Sequence, residues 1–248
     1  MPLPISRSAL DRLGVRLAAS DDISDDDYDL LLQVLNAYQA ALAEAQERLI
    51  ALGYAPTTRT KTTTVLIEKL RREQGMKLKG VQDIAGARIV ADCSRTEQDE
   101  IARRIVDEFE DGARPPKMKD RRAEPTAGYR AVHVIVTVQD VPVEIQVRTW
   151  RQDQWAQIAE ALGDKWGRGL RYGLGPDDPG QPAFDDFATE FSRQDLWDMI
   201  QTLSETIAAV EELHESRPED LDEDAMEAIE VNLRDELALF ARITDGLQ

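Results

Sequence analysis

AVHVIVTVQDVPVEIQVR, residues 131–148, is the stretch that decides the fold. Val132, Val134, Val136 and Val138 alternate with His133, Ile135 and Thr137. Val141, Val143, Ile145 and Val147 then alternate with Glu144, Gln146 and Arg148. Successive side chains of a strand point to opposite faces, so each half reads as a strand with one aliphatic face. If Gln139-Asp140 is a two-residue turn, Val138 lies opposite Val141 and Val132 opposite Val147. The other face then sets His133 opposite Gln146, Ile135 opposite Glu144 and Ala131 opposite Arg148. A slip of one residue would spoil both faces at once. An imidazole, a carboxylate, an amide and a guanidinium on one face cannot all sit in a dry core; they line a cleft or they face water.

Outward from the hairpin, helical and strand signals alternate with breakers. Residues 25–52 read as a helix that opens on Asp25 to Asp27 and stops at Gly53. A second helix is expected over Thr62–Glu73, a buried strand over Ile84–Ala91 and a helix over 95–110 with Ile101, Ile105, Val106 and Phe109 apolar. Residues 115–128, PPKMKDRRAEPTAG, read as a loop. After the hairpin, residues 150–165 read as a helix with Trp155, Ile158 and Leu162 on one stripe. GLGPDDPGQP reads as a break, and 185–245 as two acidic amphipathic helices split near Pro218. Helices, then strands, then helices give an α+β class: a mixed β-sheet flanked by helices, with N- and C-terminal helical extensions. The implied organisation is an N-terminal helical segment over 1–56, a core over 57–171, a Gly/Pro/Asp linker over 172–184 and acidic helices over 185–248.

The 248-residue chain carries a formal charge of −18, unevenly spread. Residues 177–248 hold 21 Asp/Glu against 4 Lys/Arg, whereas residues 57–122 hold 16 Lys/Arg against 12 Asp/Glu. Cations kept in an acidic protein suit an anionic ligand, although a solvated mixed-charge surface has the same composition. No apolar run is long enough to cross a bilayer, and the N-terminus lacks the layout of a signal peptide. The one cysteine, Cys93, cannot form an internal disulfide, so a cytoplasmic location is expected. With only His133 and His214, the chain cannot build a His-rich metal cluster; His214 reads as a surface residue of an acidic helix.

Asp83 opens the strand that precedes the hairpin, and Arg88 lies farther along it. Two carboxylates near cations, here Asp83 and Glu144, are how a site holds Mg²⁺ and a polyphosphate. Lys61 and Lys69, eight residues apart, would fall on roughly one side of a helix, and Thr62 to Thr64 would stand at its N-terminus, where free N–H groups favour phosphate.

In this order, RTK followed by EK, DIAGARI, GYRAVH and VEIQVRT resembles the synthetase domain of the RelA/SpoT family, and the chain looks like a small alarmone synthetase. The resemblance implies a nucleotidyltransferase-like fold and transfer of a pyrophosphoryl group from ATP to the 3′-hydroxyl of GDP or GTP, with Mg²⁺. It implies that Arg59 and Arg88 sandwich the adenine and that Lys61 and Lys69 hold ATP phosphates. Asp83 and Glu144 would bind Mg²⁺, with Glu144 also the candidate base. Tyr129 would stack on guanine, His133 would contact acceptor phosphates, and Gln146, Arg148 and Lys165 would shape the acceptor side.

The match is uneven. Val65 stands where the family has a serine, Arg121 where it has an aromatic, and Ala159, Glu160, Gly163 and Asp164 depart from the helix that follows the glutamate strand. Two other readings therefore stand beside alarmone synthesis. One is a toxin that pyrophosphorylates the 3′ end of tRNA, with Lys117, Lys119, Arg121 and Arg122 meeting RNA phosphates. The other is a catalytically weak, nucleotide-binding regulator. Small members of the family often form homo-oligomers, and the C-terminal stripes would suit that; no membrane partner is implied.

Overall fold

A computed structural model of the chain describes residues 2–20, 22–73, 75–183, 191–217 and 222–246. Two helices lead, α1 (Arg7–Ala19) and α2 (Asp25–Ala51), each capped by a serine, Ser6 or Ser24, whose hydroxyl accepts a backbone N–H of the first turn. Then come β1 (Thr57–Thr60), α3 (Thr63–Arg72), β2 (Ala85–Ala91), α4 (Arg95–Glu108), β3 (Lys117–Asp120), β4 (Val132–Val138), β5 (Val141–Thr149) and α5 (Trp150–Trp166). The described helices end with α6 (Arg193–Ser216) and α7 (Glu223–Gly246). The five strands form one mixed sheet in the order β1-β2-β5-β4-β3, which makes the class α+β as the sequence implies.

The hairpin forms as its alternation dictates. Gln139 and Asp140 both adopt positive φ, 50° and 67°, as a two-residue turn that follows the sheet twist demands. All eight aliphatic side chains of the inner face are buried, none more than 3% exposed. Each contributes about 2 kcal/mol by leaving water. The other face is drier than a solvent-facing sheet: His133, Ile135, Thr137 and Glu144 are also buried. Gly112 allows this packing, because a Cβ there would come within 2.6 Å of the Thr137 carbonyl.

Two strands arise where the sequence reads as loop or as no element. β1 is four residues long and fully exposed, paired antiparallel to β2 through its backbone. β3, KMKD, lies inside the expected 115–128 loop. Both are edge strands, short and charged, and so lack the apolar alternation that marks an interior strand. The expected split near Pro218 falls outside the described residues; α6 ends before it and α7 begins after it.

The chain divides into two compact units, each discontinuous in sequence. The first comprises Met1–Ile89, Ile101–Lys119 and His133–Val147; the second comprises Val90–Glu100, Asp120–Val132 and Arg148–Gln248. In the second, α6 and α7 spend their apolar stripes on α5, where Trp155, Ile158, Leu162, Ile200, Leu237 and Phe240 share one core. Trp155 also donates its indole N–H to the Ile200 carbonyl at 2.7 Å. Gly128 packs against this helix, since a Cβ there would meet the Trp155 ring at 2.6 Å.

Candidate active site

In the first unit the segment from Arg59 to Asp83 gathers a charge cluster. Thr60 pairs with Ala85, and the next N–H, that of Lys61, donates to the Ile84 carbonyl at 2.8 Å, which pins Lys61 beside the turn holding Asp83. Lys61 precedes α3 instead of sharing its face, while Lys69 lies in the last turn of that helix. Both nonetheless reach one carboxylate: Lys61 Nζ lies 3.2 Å and Lys69 Nζ 3.1 Å from Asp83. Asp83 occupies a short 3₁₀ turn just before β2, with φ −98° and ψ 27°. Thr62 caps α3, its hydroxyl accepting the Val65 N–H at 3.4 Å. The Thr62 hydroxyl is thus occupied by the backbone.

The β1–β2 register sets Arg59 opposite Gly86 and Thr57 opposite Arg88. Opposed residues share a face, as do residues two apart, so Arg59 and Arg88 stand on one face with Gly86 between them. They line a cleft together with Gln146 of β5. A Cβ on Gly86 would find only ordinary contacts, 3.7 Å from the Glu144 carbonyl. Glycine here therefore leaves an open floor between two guanidinium groups without being required by backbone packing.

Two residues along β5 from Gln146 stands Glu144, buried and ionised. His133 Nδ1 lies 3.1 Å from its Oε1, and Gln146 Nε2 donates to its Oε2 at 3.1 Å. Burial alone would raise its pKa; His133, Gln146 and the charge of Lys119 outweigh burial and bring it down to about 2. Lys119 also donates to the side chain of Gln82, the neighbour of Asp83, at 2.8 Å. Lys119 thus faces both carboxylate neighbourhoods, a role hidden in the sequence because it sits in a four-residue edge strand. Its only sequence signal is the two-residue spacing of Lys117 and Lys119.

The remaining site residues named from the sequence lie in the second unit, where they serve the protein itself. Arg148 is 1% exposed; it donates to Asp153 at 2.9 Å and to the Tyr129 hydroxyl at 3.1 Å, with its guanidinium 5.0 Å from the Tyr129 ring centre. Lys165 Nζ donates to the Thr244 carbonyl near the end of α7 at 2.7 Å. Arg122, expected to meet phosphate, is instead buried between Asp99 and Asp120, at 2.5 and 2.7 Å. His214 is no plain surface residue: its Nε2 lies 2.6 Å from Glu230, linking α6 to α7.

The family described as the region found in RelA / SpoT proteins matches residues 58–166. That stretch is similar to the RelA/SpoT region. Within it fall all eleven residues singled out from the sequence, from Arg59 to Lys165. An uncharacterized protein of Mycobacterium tuberculosis and one of Mycobacterium bovis are each 40% identical over 179 residues, covering 70% of this chain. The match spans 64% of the length of these relatives. Among solved structures, the Bacillus subtilis small alarmone synthetase 1 gives a TM-score of 0.53 at 22% identity, over 77% of this chain and 96% of that one. Its complex with the product pppGpp gives 0.54 at 23% identity over the same shares. The small alarmone synthetase 2 of the same organism gives 0.51 at 20% identity, over 75% and 97%. At such identities the likeness fixes the fold of the RelA/SpoT region.

The donor set suits a hard cation. Among the described residues no group of three or more metal-ligating side chains forms. Mg²⁺, however, takes one or two carboxylates and fills its remaining positions with water and substrate phosphates. Asp83 and Glu144 are carboxylates of that kind, the first held by Lys61 and Lys69 and the second by His133 and Gln146. No described helix is long and apolar enough to cross a membrane.

Proposed function

We propose that this chain transfers a pyrophosphoryl group from ATP to the 3′-hydroxyl of GDP or GTP, making (p)ppGpp. The observation that carries the reading is the convergence of Lys61 and Lys69 on Asp83, in the same unit as a Glu144 held ionised by His133 and Gln146. The two ammonium groups exchange Asp83 for ATP phosphate oxygens, and Arg59 and Arg88 take the adenine between their planar guanidinium groups over the open floor at Gly86. The freed Asp83 and Glu144 would hold Mg²⁺, which when bound supplies charge neutralisation at the phosphates.

In the transfer, the 3′-oxygen forms a bond to the β-phosphorus while the bond from that phosphorus to the α,β-bridging oxygen breaks. AMP leaves, and the hydroxyl proton passes to solvent. Glu144, its pKa lowered by His133 and Gln146, would accept a hydrogen bond from the hydroxyl and orient it for attack. Arg148, bound to Asp153 and the Tyr129 hydroxyl, holds the tyrosine ring in place. The burial of Arg122 among carboxylates weighs against the tRNA reading, which needs that cation for RNA.

The test is an acceptor screen with γ-labelled ATP, Mg²⁺ and, in turn, GDP, GTP and bulk tRNA. Label on a guanosine nucleotide supports the proposal. Label on tRNA alone overturns the acceptor, and no label in protein that still binds ATP overturns the activity.

A further inference from the structure

Glu144 has neighbours on both sides along β5. Gln146, two residues one way, belongs to the cleft of Arg59 and Arg88. Pro142, two residues the other way, belongs to a second cleft of about 250 Å³ on the same sheet face, floored by Ile135 and Thr137. At ~3.3 Å per residue Pro142 lies roughly 7 Å along the strand from Glu144. Four cations line it: Arg7, Lys79, Arg114 and Lys117. Among the described residues no carboxylate does. In a chain with 48 acidic residues against 30 basic ones, four cations to none is the reverse of the bulk composition.

The neighbourhood offers little compensation. Asp11 pairs with Lys79, at 2.6 Å, and so offsets one of the four charges. Arg114 donates to the Asp140 carbonyl, a neutral acceptor. Arg7 is the first residue of α1, whose first turn contains no acidic side chain, so it stands where the helix dipole is already positive and a cation is disfavoured. The fields of Arg7 and Arg114 both reach Tyr38, where each opposes the burial that pushes the phenol up to about 12. Cations gathered in a concave wall with this little opposing charge repel one another unless an anion joins them.

We propose that this cleft is a second anion site, which takes a condensed phosphate of two or three phosphoryl groups, either free or as the tail of a nucleotide. The volume is below the usual range for a drug-sized ligand and leaves no room for a base as well. The proposal rests on the charge and shape of the cleft and stands independently of the transfer reaction.

Inorganic tripolyphosphate is the probe, followed by isothermal calorimetry at low salt. Arg114→Ser/Lys117→Ser should weaken binding at this site at least tenfold, while Lys61→Ser/Lys69→Ser should leave one site within about threefold of the unsubstituted chain. Binding that survives the first pair and vanishes with the second would overturn the proposal. A readout that needs no variant is lysine acetylation of the unsubstituted protein. Tripolyphosphate should protect Lys117 and Lys79, and their full labelling in its presence would sink the idea. Competition identifies the source. GTP displacing tripolyphosphate from the Lys61→Ser/Lys69→Ser protein supports a nucleotide tail, and failure of GTP to do so supports inorganic polyphosphate. Guanosine displacing it equally well would mean that a base is read, against the proposal. None of these readouts requires turnover, so they stand or fall apart from the acceptor screen.

Discussion

Charge is used in opposite ways in the two units. In the first, Asp83 shares Lys61 and Lys69 while a third of its side chain reaches solvent, and the charged residues lining a cleft in the same unit are all cations. In the second, Arg148 is held by Asp153 with 2% of its side chain exposed, Arg122 is held by two aspartates, and Arg151 is paired with Glu230. An exposed ion pair contributes little to stability and can trade its partner for a ligand. A buried pair cannot: removing one partner strands the other charge away from water. Similar residue types thus make a binding surface in one unit and a structural lock in the other.

The comparison breaks if substitutions in the two units have the same consequence. Glu144→Gln keeps the shape but removes the charge, so transfer to guanosine nucleotides should fall about a thousandfold, or about 4 kcal/mol, with the circular dichroism spectrum unchanged. Retention of full activity would remove Glu144 from the proposed chemistry. Arg148→Met should cost roughly 3 kcal/mol or more in urea unfolding, because the buried Asp153 loses its cation. A shift of less than about 1 kcal/mol would place that pair among the exchangeable ones.

Acid should separate the units more gently. The folded pKa of Glu144, about 2, lies below its ordinary 4.5, so the group adds stability that is fully present above pH 4.5 and is lost as pH falls from there towards 2. The loss is at most roughly 3 kcal/mol, and Glu144→Gln should flatten that part of the pH–stability curve. The smallest effect on folding belongs to Lys69→Met. It should raise the KM for ATP about tenfold, near 1.4 kcal/mol, and leave urea stability within about 0.5 kcal/mol.

The hairpin was legible because one alternation fixes both strands, their turn and their shared faces. The placing of His133 and Glu144 on one face followed from it, and the structure brings the two side chains to 3.1 Å. β1 and β3 were not legible: a four-residue edge strand with at most one apolar side chain is defined by backbone pairing, which leaves no apolar period to read. The convergence of Lys61 and Lys69 was foreseen by a helix-face argument, but the structure reaches it by placing Lys61 outside the helix. The lock in the second unit could not be read at all. Thr149 donates to Glu211 at 2.6 Å and Arg122 reaches Asp99 across more than twenty residues, and nothing local marks either partner. Buried polar groups must be paired, yet the sequence does not say with whom.

The interleaving of the units has a consequence for how the protein is made. The first unit has all its residues once Val147 has been synthesised, whereas the second needs two segments from before that point and one from after it, up to the C-terminal helices. During translation the Arg122 and Asp99 partners emerge early, but α5, α6 and α7, which supply the apolar core of their unit, arrive last. A nascent chain that has emerged from the ribosome to just past Val147 would therefore present every residue of the first unit, cationic cleft included, attached to fragments of an unfinished second.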